Sequence, residues 1–225
     1  MEIWQELHAK LLSFSDSVER DEFIDELTVR VFSGSVESTA LPVFIQALQL
    51  ARHDLTLRST ALAIAITAKS HDDDAVDALV SAYRDFRRHA FLGPAFLDVL
   101  ALLAVCNPVA RAELTNALLR LTHQDTRYLL VRAAKIIARL NPSLQSSDLR
   151  QKLVELSECE DIFVRTECAV QRAYLELSET FLAATPSELL HRLALTRATF
   201  VHAAQMEEHR PDAELFASLI EILRS

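Results

Sequence analysis

The sequence predicts an all-α protein built as an α-solenoid of about six antiparallel helix pairs, and three observations carry that reading. Gly34 and Gly93 are the only glycines in 225 residues, where average usage of roughly 7% would give about fifteen, so tight β-turns that need positive φ are scarce. Apolar residues recur along almost the whole chain at helical spacing, with short breaks marked by Ser, Asp and Pro. Finally, four apolar segments superpose: LRSTALAIAITA from Leu57, LGPAFLDVLALLA from Leu92, VRAAKIIARL from Val131 and VRTECAVQRAYL from Val164, at offsets of 35, 39 and 33 residues. Helix pairs of that length cannot bury their own apolar faces, and stacking them at such a period builds one continuous core.

The elements follow in order. Residues 2–13 and 19–32 form a first pair that caps the N-terminal end within 1–38, and SGSVES at 33–38 is a loop. Then come 41–51 with 55–69, 74–88 with 93–106, 109–121 with 127–140, and 147–157 with 161–177. Residues 187–205 and 211–224 close the chain as a C-terminal capping pair over 187–224. Pro108, Pro142, Pro186 and Pro211 all fall at or beside helix junctions, where a fixed φ and a missing N–H cost least. The expectation is twelve helices in a single domain spanning 1–225.

Asp54-Leu-Thr-Leu-Arg58 and Asp161-Ile-Phe-Val-Arg165, each followed by alanines spaced along a helix, resemble the D-x-x-V-R-x-x-A core of HEAT repeats. The resemblance covers about 41–177. The copy at Leu129 keeps Val131-Arg132 but has Tyr128 in place of the aspartate, and the copy at Leu92 has Gly93 in place of the arginine. The family implies a right-handed superhelix of armadillo-like helical character. It also implies that the aspartate caps its helix and favours the positive end of the dipole, and that Arg58, Arg132 and Arg165 join successive repeats as a ladder. TPR repeats are not matched, because their Trp, Gly and Tyr positions have no counterpart.

The resemblance further implies a concave face made by the second helix of each pair, used to bind proteins and less often nucleic acid. One stripe along these helices reads Arg132, Lys135, Arg139 in one repeat and Arg165, Cys168, Arg172 in the next, five basic residues in all. Earlier repeats place Arg58, Ala61, Ala65 and then Gly93, Phe96, Leu100 there. The candidate partner-binding residues are therefore Phe96 and Leu100 as apolar anchors, with Arg132, Lys135, Arg139, Arg165 and Arg172 clamping carboxylates or phosphates of an amphipathic or acidic peptide. The competing reading is a solvated face whose cations are paired internally with Glu167, Asp125 or Glu176. A second basic cluster, Arg84, Arg87, Arg88 and His89, reads as the C-terminal end of a helix, where cations offset the dipole.

Charge and motif bound the function. With 23 basic and 32 acidic residues the net charge is −9, which disfavours general affinity for nucleic acid or anionic membrane. The acidic segments, residues 16–26 and Asp72-Asp73-Asp74 with Asp77, read as solubilising or as attractive to a basic partner. No EF-hand loop, CxxC pair, HExxH, P-loop, GxSxG or Rossmann fingerprint occurs. His53, His89 and His123 fall at successive turns, about one helix spacing of 10 Å apart, too far to share a metal. Cys106, Cys159 and Cys168 read as reduced thiols of a cytoplasmic chain, and neither a secretory signal nor a membrane span is found. The expectation is a noncatalytic scaffold or adaptor without cofactor or metal, which captures a protein or peptide, with chaperone and immunity-type inhibitor as special cases. The alternative is a nucleic-acid-binding protein related to the DNA-alkylation-repeat glycosylases, which are similar in size but basic, with groove aromatics; the single tryptophan here, Trp4, lies outside the matched repeats.

Overall fold

The computed structural model describes residues 2–34, 40–140, 147–183 and 185–203, together with 214, 215, 217, 220 and 221. Among these residues the chain is all-helical, with eleven assigned helices and no strand: α1 (Glu2–Ser13), α2 (Ser17–Phe32), α3 (Leu41–Leu50), α4 (Asp54–Thr67), α5 (Asp73–Phe86), α6 (Leu92–Leu103), α7 (Pro108–Leu119), α8 (Arg127–Arg139), α9 (Ser147–Leu156), α10 (Ile162–Ala183) and α11 (Pro186–Ala203). Most of the expected twelfth helix, 211–224, and the loop residues 35–38 lie outside the described residues; Glu214, Leu215, Ala217, Ile220 and Glu221 are helical.

The helices fall into two compact units, Met1–Arg120 and Leu121–Ser225. In the first, α2 packs on α4 and α4 on α6, while α1, α3, α5 and α7 pack in succession as a second layer. Phe44, Ile24, Leu27, Ile64, Leu79, Leu97 and Leu103 are fully buried in it, each such side chain contributing about 1.5–3 kcal/mol over exposure. In the second, α8 packs against α10, α9 touches both, and α11 lies on α10. Its far end is closed by Val170, Leu177, Leu193, Phe200, Ala203 and Ile220, with the Tyr174 ring edge-on to Phe200 at 4.8 Å.

Local chemistry sets the boundaries. Asp16 accepts from the N–H groups of Val18 and Glu19 at 2.7 and 3.1 Å, which starts α2 at Ser17 rather than at 19. Asn107 does the same for α7, accepting from Val109 and Ala110 at 2.8 and 2.9 Å. Thr185 and Glu188 form a reciprocal capping box at the head of α11. Neither glycine nor proline follows Leu177 until Pro186, so α10 runs past the expected end to Ala183. In α8, burial of Leu129, Leu130, Ala133, Ala134, Ile136 and Ile137 traces a single helical stripe. Gly34 ends α2 at φ 79°, a left-handed conformation that suits glycine.

Within each unit, polar contacts between helix pairs recur 31 to 34 residues apart. Asp21 on α2 accepts from the backbone N–H of Arg52 and of His53, so one helix caps the next one along. Asp25 takes the hydroxyls of Thr56 and Ser59 at 3.1 and 3.3 Å. These two aspartates, expected to be solubilising, are structural: across the interface Asp21 holds the N–H groups that lead into α4, and Asp25 holds hydroxyls of its first two turns.

Candidate partner-binding surface

The structure separates the seven predicted binding residues by depth. Phe96 and Leu100, expected as groove anchors, are 1% and 0% exposed; they are core residues of the first unit, because α6 is enclosed by α4, α5 and α7. The five cations lie on α8 and α10, which do pack side by side. Arg139 and Arg165 are exposed, and Arg132 is half-buried. Lys135 turns inward: its Nζ lies 3.7 Å from Glu167 Oε2, a carboxylate only 1% exposed that also accepts from Gln171 Nε2 at 2.6 Å. Arg172 lies 3.8 Å from Glu176, which pairs with Arg192 at 2.6 Å. Lys135 and Arg172 thus take the internal pairing with Glu167 and Glu176 that the competing reading named.

The Arg–Asp ladder is shifted from its expected register. Asp161 caps α10, accepting from Phe163 and Val164 N–H at 2.9 and 3.3 Å, but its cation is Arg127, with Nε at 2.7 Å, rather than Arg132 or Arg165. Arg127 opens α8 level with the start of α10, whereas Arg165 lies a turn deeper. Asp54 is not a side-chain cap; it sits inside the first turn of α4 with Oδ2 3.5 Å from His89 Nε2. Since His89 Nδ1 accepts from Leu92 N–H at 3.1 Å, the neutral ring carries its proton on Nε2, facing Asp54. Arg58 lies over the Phe91 ring at 5.5 Å.

Burial raises the pKa of Asp161, but its bonds from Arg127, Val164 and Phe163 and the charge of Arg127 outweigh it and hold the carboxyl below its ordinary value. A folded-state pKa below the unfolded one contributes stability above the unfolded value, and that contribution is lost as pH falls through the folded value. Asp161→Asn is therefore expected to be less stable than the parent at neutral pH and to converge with it only in acid, below the ordinary aspartate range. Urea midpoints measured across pH test this; a constant gap down to the acid limit would refute it. Burial, then the charges of Glu167 and Cys159, push the Cys168 thiol up to about 12 against an opposing pull from Arg172, so it stays protonated near neutral pH and is a poor nucleophile.

A feature missed by the stripe argument lies at the helix starts. Val18 of α2, Leu55 of α4 and Phe91 beside α6 are exposed in the first unit, and Tyr128 of α8 with Ile162 and Phe163 of α10 in the second. Polar contacts of Asp21 with His53, Asp54 with His89 and Arg127 with Asp161 join the starts of these helices within each unit. The signal was present as an apolar residue near the beginning of every second helix, at positions 18, 55, 91, 128 and 162. Elsewhere in the first unit, Asp72, Asp73, Asp74 and Asp77 border an open groove of about 670 Å³ between α3 and α5, floored by Leu41 and Ile45. Among the described residues, no group of three or more His, Cys, Asp or Glu could hold a metal ion, and no helix is long and apolar enough to cross a membrane.

No protein-family model matches the chain, and neither a curated protein nor a solved structure matches it.

Proposed function

We propose that the stacked helix pairs are HEAT-like repeats of an α-solenoid, and that the chain is a noncatalytic scaffold that holds another protein or peptide on its even-numbered helices. The observation that carries this reading is the recurring exposed apolar residue at the start of those helices. A single exposed leucine is ordinary, but large exposed apolar side chains that recur at successive helix starts within each unit are the kind of surface a partner covers. Tyr128 is 62% exposed and Leu55 57%, so their burial under a partner remains available as binding energy. Arg165, one turn on from Ile162, borders this surface in the second unit and suits carboxylates of an acidic, amphipathic segment. The recurrence of inter-pair contacts at 31 to 34 residues supports the repeat reading.

The test uses the full chain as bait beside a Leu55→Glu/Ile162→Glu variant, both checked for the same unfolding midpoint. One protein is expected to co-purify near stoichiometrically with the parent and to be lost from the variant. Equal recovery from both would count against this surface. Tight, steeply salt-dependent binding of labelled nucleic acid that Arg139→Glu/Arg165→Glu abolishes would replace the reading with the nucleic-acid alternative.

A further inference from the structure

We propose that the open groove between α3 and α5 in the first unit is a docking site for a lysine- or arginine-bearing amphipathic helix of a partner protein. The groove lies in the odd-numbered layer, so it is separate from the apolar helix starts and the cations of the even-numbered helices. Its volume is about 670 Å³, within the roughly 300–1,000 Å³ of clefts that hold ligands.

Two helical ridges wall it. On α3, Leu41, Ile45 and Gln49 stand four residues apart, and on α5, Asp74, Asp77 and Ser81 stand three and then four apart, the spacings that keep side chains on one face. Each ridge is about two turns long, roughly 11 Å at 1.5 Å per residue. Leu41 is buried, and Ile45 and Ala78 are half-buried, so the floor is apolar; Asp73, Asp74 and Asp77 are exposed at the rim. Such a groove matches a short helix laid lengthwise with aliphatic residues inward and cations beside them. The alkyl stems of lysine or arginine cover the floor while their charged heads reach the carboxylates.

The carboxylates select the sign of the occupant, because the fold itself engages only one of them. Asp72 Oδ2 accepts from Lys69 N–H at 2.6 Å and so closes the turn before α5, but it makes no capping bond to the helix. Among the described residues, the carboxylates of Asp73, Asp74 and Asp77 take no hydrogen bond or ion pair. The helix N-terminus presents about half a positive charge, which Asp73 alone exceeds. Asp77 stands four residues from Asp73 and three from Asp74, where like charges repel across the helix face. His71 is the one basic side chain among the lining residues. Neither capping nor the dipole calls for this run of negative charge, whereas a row of cations neutralises it. A metal ion does not meet the same need: no group of three or more His, Cys, Asp or Glu among the described residues could hold one. Charges spread along a ridge call for cations spread along another helix.

The probe is an acetylated and amidated Leu/Lys peptide of roughly three helical turns, its lysines on one face, titrated into the full chain and followed by backbone amide NMR. A peptide of the same composition with no helical face is the comparison. Saturable shifts confined to α3 and α5 are expected, with binding that weakens as salt rises. Asp74→Asn/Asp77→Asn is expected to weaken binding about tenfold, the loss of two exposed ion pairs, and Ile45→Ser to weaken it several-fold through the floor. Glu22→Gln/Glu26→Gln on α2 removes the same charge from the other layer and is expected to leave the constant unchanged. Without peptide, Asp77→Asn is expected to raise the urea midpoint, because it relieves repulsion within α5; a lower midpoint would make that carboxylate a structural residue and remove its claim on a partner. Equal binding of the faceless peptide, equal weakening by the α2 variant, or shifts scattered over both layers would each reduce the effect to net charge and overturn the site. Tight calcium binding that excludes the peptide, or a dimer that Asp74→Asn/Asp77→Asn dissolves, would give the groove a different occupant and overturn the proposal as well.

Discussion

Gly93→Ala is expected to destabilise the first unit by about 1–3 kcal/mol, the cost of overpacking a tight contact, even though alanine is the better helix former by about 1 kcal/mol. A Cβ at this position would stand 2.6 Å from the carbonyl oxygen of Arg87 and 3.1 Å from that of Phe86. Both obstacles are backbone, so no side chain can rotate away. The cause is the tight passage from α5 to α6, where His89 N–H bonds to the Phe86 carbonyl at 2.8 Å and Gly93 N–H to that of His89 at 3.0 Å. The helix ends almost touch, and only a residue without a side chain fits between them. Gly34 offers the contrasting case: nothing lies within 4 Å of an added Cβ, but φ is +79°, so Gly34→Ala costs about 1 kcal/mol through backbone strain alone. Urea unfolding reads both variants as a lower midpoint at unchanged slope. A Gly93→Ala protein as stable as the parent would remove the close-approach explanation.

Lys135→Met is expected to cost about 3 kcal/mol, because it takes away the ammonium that faces the buried Glu167 carboxylate and leaves a charge in a poor dielectric. Glu167→Leu alone removes one partner of the lysine, which at 17% exposure can still reach water, so the loss should be smaller. The Lys135→Met/Glu167→Leu pair should recover most of the deficit, since apolar residues of similar volume often replace a buried ion pair without penalty. A double-mutant cycle from the four unfolding curves gives the coupling. Simple additivity of the two single changes would mean that the pair is not a unit. The same proteins test a functional claim, for a lysine committed to the interior is not a clamp for a partner's carboxylate.

That reassignment shows what a sequence can and cannot convey. The spacing of apolar residues placed the helices well, because α8 buries its stripe at Leu129, Ala133, Ile136 and Ile137 wherever its neighbour lies. The same spacing put Arg132, Lys135 and Arg139 on one face, but could not say which edge of that face meets α10. Lys135 points to the interface and Arg139 does not, a difference fixed by how the two helices roll against each other. Phe96 and Leu100 failed for a related reason: the offset from the other repeats assigned them to an open stripe, while α6 is covered on three sides. Asp21 and Asp25 looked like surface charge because their partners, the N–H groups of Arg52 and His53 and the hydroxyls of Thr56 and Ser59, lie a whole repeat away. The register between Arg127 and Asp161 was legible in part, since the motif supplied the aspartate and only the choice of arginine was off by a turn.

The constant separation of those inter-pair contacts also governs how the chain folds. A contact that spans 31 to 34 residues closes a loop of nearly the same length every time, and loop-closure entropy rises only as the logarithm of that length. No step has to wait for distant ends of the chain to meet, which places each unit among the low-contact-order, fast-folding topologies. Each new helix pair condenses on a surface that its predecessor has already formed. Order therefore spreads along a unit by nearest-neighbour growth, and amide protection should be highest in middle helices such as α4 and fade toward α1, where neighbours are on one side only.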